Sequence, residues 1–172
     1  MTFFFIGMLL SSAIFSQSSS KDQKIIVDAS DAKAQFVKGD GSMNSLFSSS
    51  YGYAIFPNVG KGAIGIGGAA GNGAVYEHGN LIGMSSMKQV TVGFQWGGQA
   101  YREIIFFETK TDLDRFMENK IDFSAQVSAV AVTAGASANV KFKEGVLVFT
   151  QTKGGLMYEA SIGGQKFKSR RV

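Results

Sequence analysis

The chain has no cysteine and only one histidine, one proline and one tryptophan among its 172 residues. Without cysteine there is no disulfide, no thiolate metal site and no cysteine nucleophile. A lone histidine, His78, excludes a multi-histidine metal site and most Ser-His-Asp chemistry. Charge is also sparse: 17% of residues are charged against 45% hydrophobic, which suits one folded domain rather than a disordered chain. What is abundant is glycine, 22 residues, and phenylalanine, 15. Many glycines among aromatic and β-branched residues point to turns, bulges and closely packed strands.

Residues 3–15 are an uncharged apolar run interrupted by Gly7, Ser11 and Ser12. The run is shorter than the roughly 20 residues that span a bilayer, and it fits the apolar centre of a secretory signal peptide. The expectation is a signal peptide over 1–16 and a single domain over 17–172, exported to the periplasm or medium and peripheral on a membrane.

Ile25, Ala29, Ala32 and Phe36 recur at helical spacing and predict a helix over 21–38, ended near Gly39 and Gly41. Ser42 is the expected N-cap of a short helix with Met43, Leu46 and Phe47 on its apolar side. From Tyr51 the period falls to two. Residues 53–56 read as a buried strand closed by Pro57-Asn58, while Asn72-Gly73 and His78-Gly79-Asn80 read as tight turns. Val90, Val92, Phe94 and Trp96 alternate with polar or glycine positions, as a strand does. Residues 104–107 are apolar on both faces and so belong to a central strand. A helix near 111–120 follows, with Thr111 as its expected N-cap and Leu113, Phe116 and Met117 as its stripe. Alternation over 123–129 and 136–142, then runs over 146–152, 156–162 and 165–168, predict further strands. The fold class is a β-rich α+β domain: an antiparallel sandwich or small closed barrel of about eight strands, with an N-terminal helix and one short helix.

Residues 65–70 match the dinucleotide fingerprint by letter, but that fingerprint needs a helix after the glycines to meet the pyrophosphate. Here another turn signal and a strand follow, so no nucleotide is expected. No phosphate-binding Gly-Lys-Ser/Thr loop and no Gly-x-Ser-x-Gly elbow occur. Glu103 and Glu108 flank a buried strand, and Asp112, Asp114 and Glu118 fall on one helix face, so all read as surface charges. Tyr101 and Trp96 read as core. No enzyme activity, cofactor or metal is expected.

The net charge of +4 is uneven. Residues 21–40 are balanced, with Lys21, Lys24, Lys33 and Lys38 against four aspartates. Residues 141–172 carry an excess of five positive charges. Lys141 and Lys143 would share one strand face, as would Lys166 and Lys168. Where such faces adjoin they form a basic patch, and each base near an anionic lipid surface contributes about 1 kcal/mol. The candidate membrane-binding residues are therefore Lys141, Lys143, Lys166, Lys168, Arg170 and Arg171, with Lys61, Lys24, Lys33 and Lys38 behind them. An exported protein is not expected to meet nucleic acid.

Several segments together resemble the SYLF lipid-binding domain family. They are 51–62 (YGYAIFPNVGKG), the spaced glycines of 65–73, 92–100 (VGFQWGGQA), Ile104-Ile105-Phe106-Phe107, Leu113-Asp114-Arg115-Phe116, and 153–167 with its paired glycines. The similarity covers about residues 24–168. It implies phospholipid binding, with phosphoinositides as ligands of eukaryotic relatives and actin as a partner of some fungal ones. The accompanying SH3 or FYVE domains are absent here and an export signal is read, so actin and phosphoinositides are not the expected partners. The resemblance also implies an N-terminal helix that meets the membrane. The combined reading is non-enzymatic binding of anionic phospholipid or membrane surface in a bacterial envelope. A structural or self-assembling envelope protein is the alternative.

Overall fold

The computed structural model describes residues 7–61, 68–90, 100–123, 128–154 and 160–172. Helix α1 (Gly7–Gly39) and helix α2 (Met43–Ser49) precede four strands, β1 (Gly52–Lys61), β2 (Gly68–Glu77), β3 (Asn80–Val90) and β4 (Ala100–Phe107). Helix α3 (Lys110–Met117) leads to β5 (Ser128–Ala131), a 3₁₀ turn (Ala136–Asn139), β6 (Val146–Thr152), β7 (Ala160–Ser161) and β8 (Gln165–Arg171). The strands lie in the order β7-β5-β6-β4-β1-β2-β3-β8. Every pairing is antiparallel except β5 with β6, so the sheet is mixed rather than purely antiparallel. The expected class, β-rich with eight strands, an N-terminal helix and a short helix, is the observed one.

The sheet is strongly rolled. Strands β1 and β8 are three steps apart, about 14 Å in a flat sheet, yet the Phe56 and Phe167 rings meet at 5.8 Å. Strands β4 and β8 are four steps apart, but Gln165 donates to Glu103 at 2.8 Å. Among the described residues no ladder joins β7 to β8, so the roll is not a closed barrel.

Alternation sorts the strands onto two faces. The concave face gathers Ala54, Phe56, Val75, Met87, Ile105 and Phe167, and Leu113, Phe116 and Met117 of α3 close one end of it. The convex face presents Tyr53, Ile55, Ala74, Ile104, Phe106 and Phe149 to Ala29, Ala32 and Phe36 of α1. The helical spacing read from the sequence is therefore the seam between α1 and the sheet. Residues 104–107 are central as expected, since β4 lies between β1 and β6.

Four local expectations are corrected. Strand β1 does not stop at Pro57-Asn58 but continues to Lys61 through a register shift. Proline donates no hydrogen bond, and a bulge is where a strand tolerates it. Asn72-Gly73 is not a turn; it lies mid-strand in β2, opposite Asn58 and Ser85–Ser86 of the neighbouring strands. A Cβ at residue 73 would press on the Ile55 carbonyl and the Phe56 ring, so glycine there permits close approach of β1. The N-cap of α3 is Thr109, not Thr111, in a reciprocal capping box with Asp112. Finally, the alternation over 136–142 is not a strand but the 3₁₀ turn and an extended segment. The true tight turn is His78-Gly79, both at positive φ, joining β2 to β3. The strand expected over 90–96 and the Gly97-Gly98 turn lie outside the described residues, apart from Val90.

Candidate functional site

The register of β3 and β8 assembles a strip of lysines on the convex face. Lys166, Lys168 and Arg170 alternate along β8 and point outward, because Gln165 and Phe167 between them are buried. Lys88 of β3 stands directly opposite Lys166, and Ser86 opposite Lys168. Directly opposed like charges on neighbouring strands destabilise a sheet. Among the described residues Lys88, Lys166 and Lys168 make no ion pair, although Asp122 bridges to the backbone of Lys166 on its other side. Arg170 instead binds Asp22 of α1 at 2.5 Å. Arg171 falls on the opposite face and reaches Asp114 of α3 at 3.6 Å.

The other sequence-derived candidates are dispersed. Lys141 and Lys143 are exposed on the segment leading into β6, and four strands separate β6 from β8. No register pairing or bridge among the described residues joins them to Lys166 and Lys168. Lys24 is exposed and held by Asp28 at 2.7 Å. Lys33 is half-buried, donates to the Tyr53 hydroxyl at 3.2 Å and lies over the Phe47 ring at 4.6 Å. That cation–π contact makes it a packing residue. Lys38 is exposed in the last turn of α1. Lys61 ends β1. Lys88 was missed by sequence reasoning, because alternation puts it on the apolar face of Val90 and Val92; only the burial of Met87 and of the polar Gln89 on either side of it marks it as outward-facing.

A second basic group borders a groove of about 250 Å³ between α1 and the β1–β2 pair, lined by Ile25, Asp28, Pro57 and Asn58 together with residues 70–72. The Lys153 ammonium donates to Asn58, whose amide nitrogen in turn donates to Asp28 at 3.2 Å. Burial and the nearby Arg102 lower the Lys153 pKa, with Lys24 adding to the effect and Asp28 opposing it.

The interior holds the group least legible in the sequence. Glu103, read as a surface charge, is fully buried on the concave face. Its Oε2 accepts from Gln165, whose amide also donates to Gln89 at 3.3 Å, and Gln89 donates to the Gly163 carbonyl at 3.2 Å. Glu103 Oε1, Gln165 Oε1 and the hydroxyl of Thr150, which lies opposite Glu103 in register, have no hydrogen-bond partner among the described residues. Burial raises the Glu103 pKa to about 7, and the Gln165 hydrogen bond offsets only part of that. Burial, then the nearby Glu103 charge, pushes the Tyr101 phenol far above its ordinary range.

At the end of α1, burial alone would raise the pKa of Asp40, but hydrogen bonds from Ser137 and Ser42 hold it well below the usual carboxylate range. Asp40 accepts from the backbone of Gly135 at 3.1 Å and of Ser137 at 2.7 Å, and so pins the 3₁₀ turn to α1. Among the described residues no group of three or more histidine, aspartate or glutamate side chains could hold a metal ion. No helix among them is long and apolar enough to cross a membrane.

The fold is a rolled sheet braced by one long helix, and Lys88, Lys166 and Lys168 on its convex face make no ion pair among the described residues. Residues 88–172 match the model of the Ysc84 family, described as Las17-binding protein actin regulator. The SYLF resemblance is thereby borne out for the segments that fall within 88–172; 51–62 and the spaced glycines of 65–73 lie outside the match. The chain is also similar to Beta cell expansion factor A of Aeromonas veronii, at 26% identity over 161 residues. The match takes in 87% of this chain and 58% of that relative, so the chain spans less than two thirds of its length.

Proposed function

We propose that the domain binds anionic phospholipid surfaces without covalent chemistry, as a component of a bacterial cell envelope. The observation that carries this reading is the Lys88–Lys166–Lys168 strip, three outward ammonium groups with no ion pair among the described residues. Their opposition costs stability in the free protein and is relieved when an anionic surface supplies the counter-charge. Export rests on the apolar run over 3–15. Intact mass of protein recovered from the envelope is expected to begin near Gln17, and full-length protein confined to the cytosol would overturn export without touching the lipid reading.

The test of the function is flotation with liposomes of phosphatidylglycerol or of phosphatidylcholine, at low and at high salt. Binding that requires the anionic lipid and weakens with salt is the expected result. Equal binding to both lipids, or none to either, overturns it. An acidic protein surface would meet the same lysines, and the family description names an actin regulator. Cosedimentation with actin filaments separates the two: pelleting with actin, without flotation on anionic liposomes, would replace the lipid reading. Assembly through sheet edges is disfavoured at β8, whose free edge is occupied by Asp122 and by Asn119, which accepts from the Ser169 backbone at 2.6 Å.

A further inference from the structure

The buried polar cluster joins two strands that a flat sheet would keep about 19 Å apart. Glu103 belongs to central β4 and Gln165 to edge strand β8, and their 2.8 Å hydrogen bond crosses the inside of the roll. Gln89 adds a second contact on the way, bonded to Gln165 and to the Gly163 carbonyl. Among the described residues no base faces Glu103. Tyr101, on the same strand and face, is the titratable group beside it, and its phenol is neutral across the physiological range. From β6 the facing residue is Thr150, from β1 it is Phe56, and from β3 and β8 they are Gln89 and Gln165. The segments 62–67, 91–99 and 124–127 contain no charged residue at all, and 155–159 contributes only Glu159 and Tyr158. The carboxylate therefore meets no cation when it ionises, while its Oε1 has no hydrogen-bond partner among the described residues.

We infer that Glu103 is a proton-operated latch on β8: protonated, it holds the edge strand against the roll, and ionised, it favours release of that strand.

The mechanism is a linkage. A carboxyl buried without a cation binds its proton more tightly than the same group exposed in an opened state. Closed protein, with Glu103 titrating near pH 7, thus holds a proton that the opened form gives up at ordinary carboxylate pH. Opening is suppressed in acid, rises as pH climbs from the exposed pKa to the buried one, and levels off above it. Strand β8 is the element that moves, because it has a full partner ladder only on the β3 side, with Asp122 and Asn119 making isolated contacts on the other. Release would uncover the apolar concave residues Phe56, Met87 and Phe167, and would free the backbone that carries Lys166 and Lys168. The latch does not depend on the lipid reading and can be tested without any ligand.

The experiment is amide hydrogen exchange, followed by mass spectrometry and corrected for intrinsic exchange, from about pH 5 to about pH 9. Peptides covering β8 and, for comparison, β1 and β4 are measured. In the unsubstituted chain, β8 protection is expected to fall by about tenfold per pH unit up to about pH 7 and then level off, while β1 and β4 hold steady. In Glu103→Gln, β8 protection becomes flat with pH. Glu103→Met, which also has no titrating group and has no amide to misorient, is expected to be flat too. A β8 slope that persists in whichever variant folds would overturn the latch. So would a flat wild-type profile, and so would an equal fall in all three strands, which would mean global unfolding rather than strand release.

Discussion

Gly145 lies so close to the Asp112 carboxyl that a methyl group on residue 145 would overlap its oxygens. That carboxyl accepts from the Thr109 backbone at 3.0 Å and hydroxyl at 2.5 Å, and so starts α3. The Gly145 carbonyl receives the Glu108 N–H at 2.9 Å, and its φ of 80° is left-handed. Glycine is thus required twice, by conformation and by space. Gly145→Ala should destabilise the domain by about 2–4 kcal/mol, by breaking the cap and straining the backbone. Urea denaturation measures it, and an unchanged midpoint would show that the loop relaxes freely.

Asp40 predicts an acid-sensitive junction. Its folded pKa lies below the unfolded one, near 4 for an ordinary aspartate, so its contribution is complete above about pH 4 and is lost as pH falls through the folded value. Asp40→Ala removes the acceptor for Gly135 and Ser137 and should cost about 1–3 kcal/mol at neutral pH. The difference from wild type should shrink on acidification. Thermal melts of both proteins from neutral to strongly acid pH supply the check; a constant difference would sink the assignment.

The lysine strip makes a quantitative claim. Changing Lys88, Lys166 and Lys168 together to glutamine should weaken binding to anionic liposomes by on the order of a hundredfold, at about 1 kcal/mol for each base. The salt dependence should flatten with it. Changing Lys141 and Lys143 should do much less, because they lead into β6, which meets α1 at Gln35, about 20 Å along the helix from the Asp22 contact with β8. Comparable losses in both variants would mean that the contact surface is not the strip.

Phe36 predicts how firmly α1 is held. It is fully buried among the convex-face residues, and Phe36→Ala should cost about 3–5 kcal/mol through lost burial and the cavity left behind. A calorimetric melt reads the loss. Substituting exposed Gln35, at the preceding position of the helix, by glutamate should change stability by only a few tenths of a kcal/mol.

Periodicity carried much of this architecture because most helices and strands have one wet and one dry face. Ala29, Ala32 and Phe36 announced the helix seam, and residues 104–107 announced a central strand. What periodicity could not supply was decided by partners remote in sequence. Residues 136–142 alternate like a strand, yet the carboxylate of Asp40, almost a hundred positions earlier, accepts from the Gly135 and Ser137 backbone and holds 136–139 as a 3₁₀ turn. Asn72-Gly73 has the composition of a turn, but the close approach of β1 puts it mid-strand. Glu103 looked like a surface charge because nothing local says that β8 will curl over β4. The basic candidates show the same limit: composition located the positive end of the sequence, and register alone put Lys88 beside Lys166 while leaving Lys141 and Lys143 elsewhere.

Helix α1 contacts β8 through Asp22 and Arg170 and β6 through Gln151, which donates to the Gln35 carbonyl at 3.0 Å. The 13 steps from Asp22 to Gln35 rise about 20 Å, somewhat less than the roughly 24 Å that five strand steps would occupy in a flat sheet. A sheet is covalently strong along its strands and held only by hydrogen bonds across them. The helix therefore runs in the direction in which the sheet is weak, like the crosspiece on a planked door. A force that pulls the strands apart sideways must first peel Ala29, Ala32 and Phe36 from the convex face, whereas one applied along β1 meets no such brace.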